Sequence, residues 1–144
     1  MTEKAKIYPI PPGLWCVPSA MVAITGADWM SVIQPALNRH AQARGLMDLV
    51  TGATRTAAVA ALREMGWQVR LYKGEKLRAH VATWAKRSLE KYPGRTLMVS
   101  TTGHMLAIAD GRVYDSWTPH GETGEEHPYA KTTVTWAALV QKGG

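Results

Sequence analysis

The sequence predicts an α+β domain in which N-terminal helices pack on a mostly antiparallel C-terminal sheet. In the first half, apolar residues recur at helical spacing and the segments end at Gly26, Gly45 and Gly66. In the second half, short strand-like segments alternate with turn signals. A chain of 144 residues has the length of one ordinary domain. We therefore predict a single domain over residues 1–144.

The N-terminal segment is predicted to be an extended arm that leads into a helix. Three prolines within residues 1–13 fix the backbone and disfavour helix. A helix is expected over residues 15–25, where Pro18 falls in the first turn and its missing N–H costs little. Gly26 is a suitable residue to end this helix.

Two further helices are predicted before the sheet. Asp28 is a suitable N-cap for a helix over residues 28–44, and Pro35 should kink or split that helix. Thr54 can cap the next helix, which carries an apolar stripe and ends at Gly66.

The second half of the chain is predicted to be mostly strands. Residues 67–72 alternate as a strand, and residues 77–91 form a basic amphipathic helix. Three more strands are predicted at residues 96–100, 104–109 and 112–117. A polar loop over residues 118–131 and a final strand or short helix over residues 132–141 follow them.

A hairpin is predicted at the dipeptide 110–111, because Asp-Gly is a strong signal for a two-residue type I′ turn. Ala109 then faces Arg112, and continuing this register makes His104 and Asp115 diagonal neighbours on one face. Such neighbours lie about 7–8 Å apart at the backbone. A carboxylate at this position can orient the imidazole and stabilise its charged form.

The only cysteine, Cys16, lies at the predicted start of the first helix. A helix N-terminus and a nearby imidazolium both favour a thiolate, which is the reactive form of the side chain. Taken singly, a lone cysteine is most often a small buried apolar residue, and His104 or Asp115 would be an ordinary hydrogen-bonded residue. Together the three residues point to thiol chemistry.

These residues resemble the papain-like cysteine peptidases, and most closely the peptidase-like domains that process bacteriocin leaders. Residues 16–22, Cys-Val-Pro-Ser-Ala-Met-Val, are similar to the Cys-Gly-Pro opening of that family. Residues 103–108, Gly-His-Met-Leu-Ala-Ile, and residues 113–117, Val-Tyr-Asp-Ser-Trp, follow the family order of a Gly-His strand and a strand that ends in Asp or Asn. The resemblance covers residues 10–118 and implies a papain-like fold.

The resemblance also implies roles for individual residues. Cys16 would be the nucleophile, His104 the general base and acid, and Asp115 the residue that orients the imidazole. Independently of the resemblance, the hairpin register predicts Trp117 on the same face as His104 and Asp115, where its ring would exclude water.

The chain departs from the family pattern at two positions near the thiol. No glutamine precedes Cys16 to donate to an oxyanion, so Tyr8 or Trp15 is expected to replace it alongside the Cys16 N–H. Val17 stands where the family has glycine, which narrows the expected cleft.

The predicted function is that of a cysteine peptidase or related thiol acyl-transfer hydrolase, acting on a peptide or isopeptide bond without a cofactor. The alternative is a weak or inactive papain-like fold that serves as a binding or assembly protein, such as a phage structural protein. The substrate class in the first case is a peptide or protein. The small size fits a bacterial or phage accessory protein.

Charge and the polar loop suggest less specific properties. The formal net charge of +6 suits an acidic partner surface, and nucleic acid is the less favoured alternative because no aromatic residues interleave with the cations. His120 and His127 with nearby glutamates match no zinc spacing, so we predict a solvated acidic loop near the site and no metal. No apolar run reaches membrane-spanning length and no signal peptide is evident, so we expect a cytoplasmic protein, virion-associated if phage-encoded.

Overall fold

The computed structural model describes residues 4–43 and 54–143, so residues 1–3 of the predicted arm and the predicted stop at Gly45 lie outside it. The described residues form four α-helices: α1 Cys16–Thr25, α2 Gln34–Ala43, α3 Arg55–Glu64 and α4 Val81–Glu90. They also form six strands: β1 Trp67–Leu71, β2 Thr96–Thr101, β3 His104–Ala109, β4 Arg112–Tyr114, β5 Glu122–Thr123 and β6 Trp136–Lys142.

The strands form one sheet in the order β1-β6-β2-β3-β4-β5. Every neighbouring pair in this sheet is antiparallel. The predicted α+β class and the antiparallel sheet are therefore confirmed. The strand β1 precedes α4, in the predicted order, and one detail differs: β5 lies inside the segment predicted to be a loop.

Each face of the sheet is covered by a separate apolar cluster, because side chains alternate along the strands. One face, which includes Met98 and Met105, packs against α1, α2 and α3. The opposite face, which includes Val99 and Leu106, packs against α4 through Val81 and its neighbours. β2 and β3 are buried along their whole length between these two layers.

The helix boundaries follow the local capping chemistry. Asp28 accepts a hydrogen bond from an N–H in the first turn, as predicted, and a π-helical turn Trp29–Ile33 follows. The helix changes from π to α at Gln34 and continues through Ala43, so the predicted split at Pro35 is not seen. Thr54 caps α3 by accepting from the Ala57 N–H at 3.0 Å.

Three predicted segments have different bounds in the structure. The basic helix begins at Val81 and is preceded by a short 3₁₀ turn, Glu75–Leu77. The strand expected over residues 112–117 ends at Tyr114, after which Asp115 accepts backbone hydrogen bonds in a turn. The final segment, left open between strand and helix, is the strand β6.

None of the helices described has by itself the length and apolar content needed to cross a membrane. Within residues 4–43 and 54–143, one pair of helical segments, α1 and Trp29–Ala41, meets this requirement in combination, and the two are bent by 109°.

Candidate active site

The β3–β4 hairpin brings a histidine and an aspartate together at one end of the sheet. Asp110 and Gly111 form its loop with φ values of 48° and 81°, the left-handed conformation that a type I′ turn requires. Ala109 pairs with Arg112, which confirms the predicted register. His104 Nε2 lies 2.9 Å from Asp115 Oδ2, so the predicted contact between these side chains is also confirmed.

Cys16 reaches the same place from the helical layer. It is the first residue of α1, which packs on the sheet face next to β3. Cys16 and His104 line one open cleft of about 700 Å³, together with Trp15, Trp117 and Tyr129. Because Asp115 occupies Nε2 of the imidazole, Nδ1 is the ring nitrogen left to interact with the thiol.

The environment of His104 favours the charged imidazole. Burial lowers the pKa of His104, but the hydrogen bond to Asp115 and the interaction with Cys16 outweigh burial and raise this pKa to about 9. His104 is therefore an imidazolium at neutral pH in this arrangement.

Asp115 is fully buried and accepts hydrogen bonds on both carboxylate oxygens. Oδ1 accepts from the Trp117 N–H at 3.0 Å, from the Thr118 N–H at 2.7 Å and from the Thr118 hydroxyl at 2.8 Å. Burial works to raise the pKa of Asp115, but hydrogen bonds from His104, His127 and Thr118 hold it well below its ordinary value. Asp115 thus stays ionised beneath the imidazole.

A second histidine, which sequence reasoning missed, also contacts Asp115. His127 is 3% exposed, and its Nε2 lies 3.0 Å from Asp115 Oδ2. The prediction that this part of the loop is solvated is therefore wrong at His127. The only signal in the sequence is the pair Pro128-Tyr129, which follows His127 and is less polar than the rest of the loop.

Two aromatic rings cover the imidazole of His104. The ring centroids of Trp117 and Tyr129 lie 5.0 and 4.7 Å from that of His104, and all three rings are nearly parallel. Trp117 is 63% exposed and Trp15 is 53% exposed, so both indoles stand at the mouth of the cleft. Trp117 thus lies beside His104 as predicted.

The residues predicted to stabilise an oxyanion are not all at the cleft. Trp15 lines it, whereas Tyr8 packs against Gly26 and bonds to Ala23 O at the other end of α1. The structure thus contradicts the expected position of Tyr8. The first turn of α1 leaves the Cys16 N–H pointing ahead of the helix, because N–H groups there precede the first helical acceptor.

A second cavity also borders the histidine. It has a volume of about 470 Å³ and is lined by Val17 and Met105, and by Gly103 and His104, which also line the cleft. Cys16 lines the cleft and not this second cavity.

Across residues 4–43 and 54–143, no group of three or more His, Cys, Asp or Glu side chains is placed to hold a metal ion. Comparisons with protein-family models, curated proteins and solved structures find no match for this chain.

Proposed function

We propose that the protein is a cysteine peptidase, or a related thiol acyl-transfer enzyme, that acts on a peptide or isopeptide bond. The observation that carries the proposal is the buried His104–Asp115 hydrogen bond in the cleft that also holds Cys16. A carboxylate, an imidazole and a thiol in this order form the arrangement that nucleophilic acyl transfer requires. The open cleft that holds Cys16 and His104 is large enough to admit part of a peptide substrate.

In the first half of the reaction, the Cys16 thiolate attacks the carbonyl carbon of the substrate and the carbonyl oxygen becomes an oxyanion. The Cys16 N–H at the start of α1 donates a hydrogen bond to this oxyanion. The His104 imidazolium then gives its Nδ1 proton to the leaving amine. The C–N bond breaks, and the acyl group remains on sulfur as a thioester.

In the second half, the neutral His104 takes a proton from water or from an acceptor amine, which attacks the thioester. The C–S bond breaks, and the thiolate and the imidazolium are restored. Asp115 acts as a positioning residue: it holds the Nε2–H of His104, so that Nδ1 is the nitrogen that exchanges the proton.

The proposal is tested by the pH dependence of Cys16 alkylation with iodoacetamide in the wild type and in His104→Ala. We expect the wild type to react at pH 6 at least about tenfold faster than the variant, because the imidazolium stabilises the thiolate. Thermal melting of both proteins shows that each is folded. Equal and slow alkylation in the two folded proteins would refute the proposal.

A binding protein that keeps this fold without catalysis is the second candidate. Two observations favour it: Cys16 is only 7% exposed, and no glutamine precedes it as an oxyanion donor. A fast, His104-dependent alkylation argues against this candidate. Formation of a thioester with a peptide substrate, detected as a mass increase that hydroxylamine reverses, would eliminate it.

A further inference from the structure

His127 is the one buried titratable side chain at the site to which the proposed reaction gives no role. It comes from the segment between β5 and β6, and its side chain is fully buried. The groups that face it are Asp115, from the end of β4, and Tyr129, from its own segment. His104 shares the same carboxylate oxygen of Asp115.

The hydrogen bonds of His127 define its tautomer. Its Nδ1 accepts a hydrogen bond from the Tyr129 N–H at 3.0 Å, and a nitrogen that accepts carries no proton. The ring proton therefore resides on Nε2, which donates to Asp115 Oδ2 at 3.0 Å. His127 is thus a donor to the carboxylate, whereas His104 is the residue beside the thiol.

The same side chain connects two parts of the site. Through Nε2 it fixes Oδ2 of a carboxylate whose other oxygen is held by Thr118 and the Trp117 N–H. Through Nδ1 it fixes the backbone of Tyr129, whose ring lies 4.7 Å from that of His104. Two of the groups that contact the His104 imidazole, Asp115 and Tyr129, are therefore also bonded to His127.

We propose that His127 is a positioning residue for the thiol reaction: it holds Asp115 and Tyr129 in place against His104. This inference rests on the proposed function, since the reaction that it supports is the one assigned to Cys16. A residue that only filled space in the loop would not influence the proton affinity of His104. That affinity is therefore the quantity to measure.

Two polar substitutions distinguish the hydrogen bond that His127 donates to Asp115 from the one that it accepts from Tyr129. In His127→Gln the amide nitrogen can replace Nε2 as the donor to Asp115. In His127→Asn the side chain reaches only as far as Nδ1, so it can accept from Tyr129 but is too short to donate to Asp115. The exposed His120 in the same loop is the matched control, as His120→Asn and His120→Gln.

The measurement is the pH titration of the His104 imidazole by NMR. We expect the pKa of His104 to fall by about one pH unit in His127→Asn, which is tenfold in proton affinity. It should remain within about 0.3 pH unit of wild type in His127→Gln and in both His120 variants, since these keep or never touch the bond to Asp115. An equal change in the Asn and Gln variants, or an increase in His127→Asn, would overturn the inference.

The wild-type protein provides a measurement that needs no variant to fold. The ¹⁵N chemical shifts of His127 should report the Nε2–H tautomer at neutral pH, and an Nδ1–H tautomer would overturn the inference. Failure of the proposed function is seen separately, as slow Cys16 alkylation in the wild type. The NMR titration tests the role of His127 in either case.

Discussion

Replacement of Asp115 by asparagine measures how much the charged carboxylate contributes to the stability of the fold, because the two side chains have the same shape. In the structure, Asp115 accepts five hydrogen bonds: two on Oδ2 from imidazoles and three on Oδ1 from the backbone and hydroxyl of the turn. An asparagine can accept on one oxygen only, and its NH₂ group must face donors on the other side.

The smallest loss in the free energy of unfolding corresponds to the more favourable of the two orientations that the asparagine amide can take. If the oxygen faces the three donors of the turn, the NH₂ group meets the Nε2–H of His127 and the Nε2 of His104. His104 can change its tautomer to accept, but His127 cannot without losing its bond to Tyr129. At least one buried donor is left without an acceptor, at about 1–3 kcal/mol, and the remaining bonds lose their charge assistance. We expect Asp115→Asn to lower the free energy of unfolding by about 3 kcal/mol.

Urea denaturation at pH 7, followed by tryptophan fluorescence, measures this difference. The matched control is Asp110→Asn, since Asp110 accepts from only two N–H groups, those of Gly94 and Ala5, and asparagine tolerates its left-handed backbone. We expect the control to cost about 1 kcal/mol or less. A loss of less than 1 kcal/mol in Asp115→Asn would show that the hydrogen-bond reasoning is wrong.

Three further predictions concern pH, the cleft and the helix. Because the pKa of His104 is raised from 6.5 to about 9, its stabilisation is complete below pH 6.5 and is lost as the pH rises through 9. The free energy of unfolding should therefore fall by about 3 kcal/mol between pH 6.5 and 10 in urea titrations, and a similar fall in His104→Gln would contradict this origin. Trp117→Ala should change the free energy of unfolding by less than about 1 kcal/mol, since the side chain is 63% exposed. The same substitution should slow Cys16 alkylation several-fold at pH 6, because it admits water to the His104 imidazole. An unchanged alkylation rate would exclude this shielding role. Gly26→Ala should lower the free energy of unfolding by about 2 kcal/mol in thermal or urea experiments, because the new Cβ would overlap the ring of Tyr8. The rate of Cys16 alkylation should not change. A loss of alkylation in the folded variant would mean that Tyr8 is coupled to the cleft.

The parts of the fold that the sequence predicts well are those with local causes. The type I′ turn at residues 110–111 follows from the backbone freedom of Asp-Gly, and it sets the register that places His104 near Asp115. The start of α3 follows equally from the cap at Thr54, whose hydroxyl accepts from the nearby Ala57 N–H. Neither feature depends on residues far along the chain.

The parts that the sequence does not predict depend on tertiary contacts. His127 lies in a loop with no hydrophobic period, and its burial results from a bond to a residue twelve positions away. Closeness in sequence to Cys16 predicts Tyr8 near the thiol, but the arm runs antiparallel to α1 and brings Tyr8 to the far end of that helix. Short sequence separation did not mean proximity, because a helix of ten residues lies between the two ends.

The position of β6 in the sheet has a consequence for how the protein is made. β6 is the last strand in sequence, but it lies between β1 and β2 and forms hydrogen bonds with both. During synthesis, β1 and the β2–β3 hairpin emerge from the ribosome with open edges that cannot yet join. Residues 136–142 must follow before β1 can join the sheet, so β1 is incorporated only after β2, β3, β4 and β5 have been made.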